Sequence, residues 1–148
     1  MARFIYRMQS ILELKEKLEE QARNNFAEAR MRLDIEEEKL ANLKQRKLDY
    51  EEEGRRLRES ALNPLKLNEN KTAIERMKDR IALQQIEVNK AASLLEDARI
   101  KLTEAMQETQ IHEKLKENAF EDFKKDLIAE EMKEVDELTS YTYGQKKQ

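Results

Sequence analysis

The chain has 148 residues, of which 41% are charged and 5% aromatic, with two glycines, one proline and no cysteine. This composition is typical of long helices and differs from that of a loop-rich globule with a sizeable buried core. The lack of cysteine removes disulfides and thiolate metal sites and fits a reducing compartment. No apolar run approaches the roughly 18 residues that span a bilayer. Basic residues number 29 and acidic residues 32, mixed along the chain, so no segment has the positive excess that nucleic acid binding requires. We therefore expect a cytoplasmic protein that binds no nucleic acid.

A first amphipathic helix is predicted for residues 4–60. Apolar side chains recur there at spacings of three, four or seven, separated mostly by Glu, Lys, Arg and Gln. The register is uneven, because four-residue steps between Leu14 and Phe26 indicate a local change of supercoil. Glu36 and Gly54 stand where apolar residues are expected. Gly54 has two interpretations: a tolerated, fraying turn, or a bend that presents Tyr50.

The dipeptide Asn63-Pro64 marks a turn. Asn is a favourable N-cap, and Pro suits the first helical position because its fixed φ is already helical and its missing N–H would be unpaired there. The predicted connection covers about residues 61–63. Because it is this short, the chain should turn back on itself and the two helices should lie side by side. A second helix is predicted for about 64–138, followed by a loose tail over 139–148.

A heptad seam runs along the second helix from Ile74 to Phe123 for seven repeats. Its a positions are mostly Ile, Val and Leu, and its d positions are Met, Gln and mainly Ala. A seam of this period supercoils around a partner helix, and small Ala at d allows close approach. The fold class that follows is all-α: one domain over 1–148, formed by a long two-helix antiparallel coiled-coil hairpin. A dimer in which the same seams pair between two chains remains an alternative.

The second helix is longer than the first, so residues beyond about Lys124 lack an obvious intramolecular partner. An apolar stripe continues there, and unpaired apolar surface invites another protein; a frayed, partly solvated end is the alternative. Further apolar residues lie off the main seam of the second helix and suggest a second docking face. These residues are Leu83, Ile86, Ile100, Ile111 and Leu115.

Few residues carry chemistry. His112 is the single histidine and falls at a d position, where a polar residue that fixes register is a better interpretation than a metal ligand. The acidic group between Glu130 and Glu137 lacks the cleft that general acid–base catalysis needs. No glycine-rich phosphate loop or nucleophile elbow occurs. We expect neither an enzyme nor a cofactor or metal site.

Two motifs, one near each end of the chain, carry a family resemblance. The first is Phe4-x-Tyr-Arg-Met-Gln-Ser-Ile-Leu-Glu-Leu-Lys-Glu-Lys-Leu-Glu-Glu-Gln-Ala22, and the second is Glu131-x-Lys133-Glu134-x-Asp136-Glu137. Together they resemble the FliJ family of flagellar export proteins, with matching length and a break in the middle. The family forms a two-stranded antiparallel coiled coil similar to that of the rotary ATPase central stalk.

The resemblance implies a non-enzymatic component of the flagellar type III export apparatus, located at the cytoplasmic face of the flagellar base. Its expected partners are the export ATPase hexamer, the cytoplasmic domain of the export-gate membrane protein and substrate chaperones. Association with the membrane would occur only through these partners. A prefoldin-like holdase and a purely structural, self-associating coiled-coil protein are the alternatives.

Two sets of residues are expected to bind these partners. Both termini should lie at one end of the hairpin, forming a tip that contacts the ATPase, whereas a surface nearer the turn should contact the gate. The predicted tip residues are Phe4, Met8, Ile11, Glu131, Lys133, Asp136 and Glu137, and the predicted gate-facing residues are Tyr50, Leu57 and Met77.

Overall fold

The computed structural model describes residues 2–60 and 63–146, and these form two α-helices that pack against each other. Helix α1 spans Gln9–Glu59 and helix α2 spans Pro64–Lys146. Lys15 pairs with Glu108, and Glu36 with Gln84. The later residue of α1 thus contacts the earlier residue of α2, so the hairpin is antiparallel. The predicted all-α hairpin is confirmed.

The start of α2 follows from its capping residue. The Asn63 side-chain oxygen accepts hydrogen bonds from the backbone N–H groups of Leu65, at 3.1 Å, and Lys66, at 3.4 Å. These contacts satisfy two of the donors that a helix leaves unpaired at its N-terminus, while Pro64 needs no partner for the N–H it lacks. The predicted cap is confirmed, whereas positions 61 and 62 of the predicted turn lie outside the described residues.

The seam of α2 matches its prediction. Every a and d position from Ile74 to Phe123 is buried or half-buried, and the same spacing extends back to Leu67 and Asn70. The most buried apolar residues of this helix, Met77, Val88 and Ala91, all belong to the seam. A stripe this narrow buries its residues only against one neighbouring helix, as a coiled-coil hairpin requires.

The seam of α1 is more regular than predicted. Buried and half-buried residues follow alternating steps of three and four over its whole length, and Leu14 and Leu18 point outward, 53% and 44% exposed. The expected change of supercoil near residues 14–26 is therefore wrong. The seam positions are Leu12, Lys15, Glu19, Ala22, Phe26, Ala29, Leu33, Glu36, Leu40, Leu43, Lys47, Tyr50, Gly54 and Leu57.

Lys15 shows why a polar seam residue is tolerated there. Its side chain is 28% exposed, and its Nζ reaches a Glu108 carboxylate oxygen at 3.4 Å. A lysine can bury its methylene stem against apolar surface while its ammonium group stays at the edge. The regular heptad of α1 is thus maintained although Leu14 is the more hydrophobic candidate.

The chain separates into two compact units. The terminal unit comprises the described residues of Met1–Glu20 and Glu104–Gln148, and the central unit comprises Gln21–Thr103. In the central unit Leu40, Met77, Val88 and Ala91 are buried, and in the terminal unit Leu12 and Thr109 are buried. Both helices contribute to both units, and the single domain over 1–148 stays a prediction.

The N-terminus is not helical from residue 4 as predicted. Residues 2–6 lie outside regular structure, a turn covers residues 7–8, and α1 begins at Gln9, whose N–H donates to the Tyr6 carbonyl at 3.2 Å. Phe4 instead packs on two phenylalanines of α2, with ring centroids 5.1 and 5.5 Å away. Tertiary packing of this aromatic side chain competes with extension of the helix.

The C-terminus is helical for longer than predicted. Helix α2 continues past Leu138 to Lys146, so the expected loose tail is wrong over 139–146, and positions 147 and 148 lie outside the described residues. Gly ends a helix when it adopts a left-handed conformation at the position after the last turn. Gly144 has no positive φ and remains within the helix. None of the described helices has a segment long and apolar enough to cross a membrane.

Candidate partner-binding surfaces

A buried carboxylate fixes the register of the two helices in the central unit. Glu36 is 3% exposed, and the Gln84 side-chain amide donates to its carboxylate oxygen at 2.6 Å and to its backbone carbonyl at 2.9 Å. A shift of one helix along the other would break both bonds and leave a carboxylate buried without its donor. The surfaces that both helices form together are thereby held in one alignment.

The charge of Glu36 is maintained by its neighbours. The hydrogen bond from Gln84 lowers the pKa of the Glu36 carboxyl below its ordinary value, and the cations Lys39 and Arg32 act in the same direction, although burial opposes them. Lys39 Nζ and Arg32 Nε lie 3.5 and 3.3 Å from one carboxylate oxygen. Glu36 is therefore ionised at neutral pH, as its charge-assisted bond with Gln84 requires.

Gly54 makes room for a contact between the helices. It is a buried seam residue of the continuous helix α1, and a Cβ atom at this position would collide with the Asn70 side-chain oxygen. The Asn70 amide donates to the Tyr50 carbonyl at 2.8 Å. The fraying turn expected at Gly54 is not present, because α1 is continuous to Glu59 and the missing side chain serves close approach of Asn70. The alternative, a bend that presents Tyr50, stays a prediction.

The predicted gate-facing residues line two adjacent depressions in the central unit. Tyr50 and Met77 line one of about 380 Å³, and Tyr50 and Leu57 line the other of about 400 Å³. The depressions share three residues and form one continuous surface, which we call the Tyr50 groove. Its lining residues are Arg46, Tyr50, Glu53, Leu57, Lys66, Asn68, Glu69, Asn70, Thr72, Ala73, Arg76, Met77 and Arg80.

Three arginines at one end of the Tyr50 groove were not predicted from the sequence. Arg46 of α1 and Arg76 and Arg80 of α2 are exposed, and none pairs with a carboxylate among the described residues. They could have been found by aligning the helices about the turn, because Arg46 and Arg80 both precede an a position and so flank the seam. The sequence pattern of one helix alone does not show that arginines of both helices lie together.

The terminal unit contains an aromatic cluster formed by Phe4, Phe120 and Phe123. Phe4 meets Phe120 edge-on at 5.1 Å and Phe123 in a tilted arrangement at 5.5 Å between ring centroids, and Lys124 Nζ lies 4.7 Å from the Phe120 ring centre. Such aromatic contacts fasten the non-helical N-terminal segment to α2. The other predicted tip residues on this side, Met8 and Ile11, are 38% and 39% exposed.

The acidic tip residues are separate from this cluster. Glu131, Lys133, Asp136 and Glu137 are all exposed, and the first of them lies eight residues beyond Phe123, which is about 12 Å along a helix. The structure therefore brings Phe4 against the second helix but does not pack it beside the acidic motif. Partner binding by either group stays a prediction.

The exposed end of α2 has an apolar stripe on a different face from the seam. All side chains from Ile128 to Gly144 are exposed. Continuation of the seam would use positions 126, 130, 133 and 137, and these are Asp, Glu, Lys and Glu. The apolar side chains lie elsewhere, at Ile128, Met132, Val135 and Leu138.

Two other predicted features have clear positions. His112 is half-buried in the seam, and its Nδ1 is buried with no hydrogen-bond partner among the described residues. Within the described residues, no group of three potential His, Cys, Asp or Glu ligands is gathered that could hold a metal ion. The off-seam residues Leu83, Ile86, Ile100, Ile111 and Leu115 are all exposed.

Comparisons with known proteins agree with this architecture. A family model described as "Flagellar FliJ protein" matches residues 4–148. A solved structure of a YscO homologue, CT670 from Chlamydia trachomatis, aligns with 100% of this chain and 99% of its own, with 24% identity and a TM-score of 0.66. At this identity the likeness bears on the fold. No curated protein gives a significant match.

Proposed function

Because the chain belongs to the flagellar FliJ protein family, it is a component of type III protein export, and we propose that it links the export ATPase hexamer to the export gate as a stalk-like adaptor. The family is one of non-enzymatic export components. The main support for an adaptor is the exposed end of α2, which continues beyond the paired helices with both acidic and apolar side chains.

The ATPase contact is assigned to the terminal unit. A single helix with an exposed apolar stripe and a charged opposite face is suited to insertion between subunits of a ring. Met8 and Ile11 add apolar surface near the aromatic cluster, and Glu131, Lys133, Asp136 and Glu137 supply the charges. We assign the ATPase contact to these residues together with Phe4.

The gate contact is assigned to the Tyr50 groove. A concave surface with a half-buried aromatic side chain offers an apolar anchor for a partner segment. Tyr50, Leu57 and Met77 all line this groove. In this proposal the protein acts at the cytoplasmic face of the flagellar base, reaches the membrane only through the gate, and escorts substrate chaperones.

Co-sedimentation with the purified export ATPase hexamer tests the adaptor proposal. We expect saturable binding near one chain per hexamer and a changed rate of ATP hydrolysis in the same samples. A chain lacking residues 130–148 should lose both effects, because it lacks the exposed helix end. The control, Met31→Ser with Ile35→Ser, removes exposed apolar side chains of α1 that belong to no proposed contact and should bind normally.

The alternatives give different results in the same experiment. Absence of binding to an intact hexamer would overturn the ATPase arm of the proposal. A holdase would instead bind many denatured proteins, and a structural coiled-coil protein would self-associate without dependence on the ATPase.

A further inference from the structure

The basic end of the Tyr50 groove carries charge that the chain itself does not neutralise. Arg46, Arg76 and Arg80 surround a depression of about 380 Å³ that Tyr50 and Met77 also line. Arg76 and Arg80 are one helical turn apart on α2, where like charges repel each other. No carboxylate among the described residues pairs with any of the three.

Four other arginines on the two helices pair with carboxylates. Arg32 contacts Glu36, Arg55 and Arg56 contact Glu52, and Arg99 contacts Glu96. The groove has one carboxylate of its own at this end, that of Glu69, so its local charge is positive in a chain whose net charge is −3. A concentration of unpaired arginines beside an apolar floor is therefore a local feature and does not reflect the overall composition.

We propose that this end of the groove binds an acidic segment of a partner protein, with carboxylates on the arginines and an apolar side chain against the accessible part of Tyr50, beside the buried Met77. Guanidinium groups match carboxylates in a two-bonded geometry, and an aromatic ring offers apolar contact area beside them. The identification of that partner with the export gate rests on the function proposed above, whereas the chemistry of the site depends only on the groove.

A protein segment fits this surface better than nucleic acid does. Binding of a phosphate backbone gains from many cations along a track, whereas the cations here are three, clustered at one end of a groove in an acidic chain. The apolar floor formed by Tyr50 and Met77 would have no counterpart on a phosphate backbone.

Fluorescence anisotropy with the full chain tests the site directly. The probe is a short fluorescein-labelled peptide in which Glu and Asp flank a central Phe. Arg76→Gln with Arg80→Gln should weaken its binding about tenfold, as expected from loss of charge-assisted hydrogen bonds. The control Arg30→Gln with Lys44→Gln makes the same charge change at exposed positions outside the groove and should leave the affinity unchanged. Circular dichroism verifies that both variants remain helical.

Three results would overturn the inference. Equal weakening by both double variants would mean that binding follows net charge alone. Unchanged binding of a peptide with Gln and Asn in place of the acids would mean that the apolar floor suffices. Tighter binding of oligothymidine, with the same dependence on Arg76 and Arg80, would assign the site to nucleic acid.

Repeating the measurement with the purified gate domain separates the two proposals. If the gate domain binds and the Arg76 and Arg80 variant binds equally well, the acidic-segment inference is wrong and the adaptor function stands. If the peptide binds in the groove and the gate domain does not, the site stands and the gate assignment is wrong.

Discussion

Glu36 is a charged residue at a seam position where an apolar side chain would ordinarily pack. Its carboxylate is buried, yet Gln84 donates to it and two neighbouring cations lie against it, so its pKa falls below the ordinary value of 4.5. A group whose pKa is lowered by folding contributes stability above its ordinary pKa, and this contribution disappears as the pH falls through the lowered value. Glu36 therefore stabilises the hairpin at neutral pH and ceases to do so in acid.

Glu36→Gln should lower the thermal midpoint at neutral pH, and the difference from the parent chain should shrink as the pH falls below about 4.5. Thermal unfolding followed by circular dichroism across this range measures the effect. Glu37→Gln makes the same charge change at an exposed position and serves as control. A difference that stayed constant over the whole range would show that the ionised carboxylate is not the source of the stabilisation.

At the scale of the helix, periodicity alone identified most of the seam. Aliphatic residues occupy the a positions of α2 from Ile74 to Leu102, and the same spacing continues to Phe123, so one register is clearly preferred. In α1 two registers compete at the N-terminal end, because both Leu12 and Leu14 are apolar. The outcome depends on α2: Lys15 faces Glu108, and the backbone carbonyl of Lys15 accepts a hydrogen bond from the Thr109 hydroxyl at 3.2 Å. A pattern read along α1 does not contain these contacts.

The two competing leucines give a stability test of the α1 register. Leu12 is 3% exposed and Leu14 53% exposed, and Leu→Ala changes the intrinsic helix propensity equally at both. Leu12→Ala should destabilise the protein by about 2 kcal/mol, the lower end for a buried leucine in a thin core, whereas Leu14→Ala should cost under about 0.5 kcal/mol. Urea unfolding measures both. Equal losses of stability, or a larger loss for Leu14→Ala, would mean that α1 follows the alternative register. In that register Leu14 lies in the seam and the supercoil changes between Leu14 and Phe26.

For the whole molecule, the fold class and the turn could be predicted because composition, the long seam and Asn63-Pro64 all favour a hairpin. The start of α1 could not be predicted, because Phe4 lies outside the helix and packs on Phe120 and Phe123, which are distant in the sequence. Tyr50, Leu57 and Met77 were identified as one face, but the arginines beside them depend on how two distant segments align. Surfaces made by two helices are thus less accessible to sequence analysis than the seam itself.

The proposed ATPase and gate contacts use different units of the chain, so they should respond to different substitutions. Tyr50→Ala removes the aromatic ring from the groove and should weaken gate binding about tenfold, as truncation of an aromatic anchor commonly does. It should leave co-sedimentation with the ATPase unchanged, because the residues assigned to that contact lie in the terminal unit. Removal of residues 130–148 should have the opposite effects.

Tyr50 also belongs to the seam, so its truncation could act through stability alone. Tyr50→Phe keeps the ring and should retain gate binding, while Leu43→Ala shortens a half-buried seam residue outside the groove and should lower stability without a loss of gate affinity. Titration calorimetry with the purified gate domain distinguishes these cases. If Leu43→Ala weakened gate binding as much as Tyr50→Ala, general destabilisation would explain the loss and the groove would not be the gate contact. Both Tyr50→Ala and Leu43→Ala truncate a seam side chain, but only Tyr50→Ala changes the groove. If only Tyr50→Ala weakens gate binding, the aromatic ring itself makes the contact.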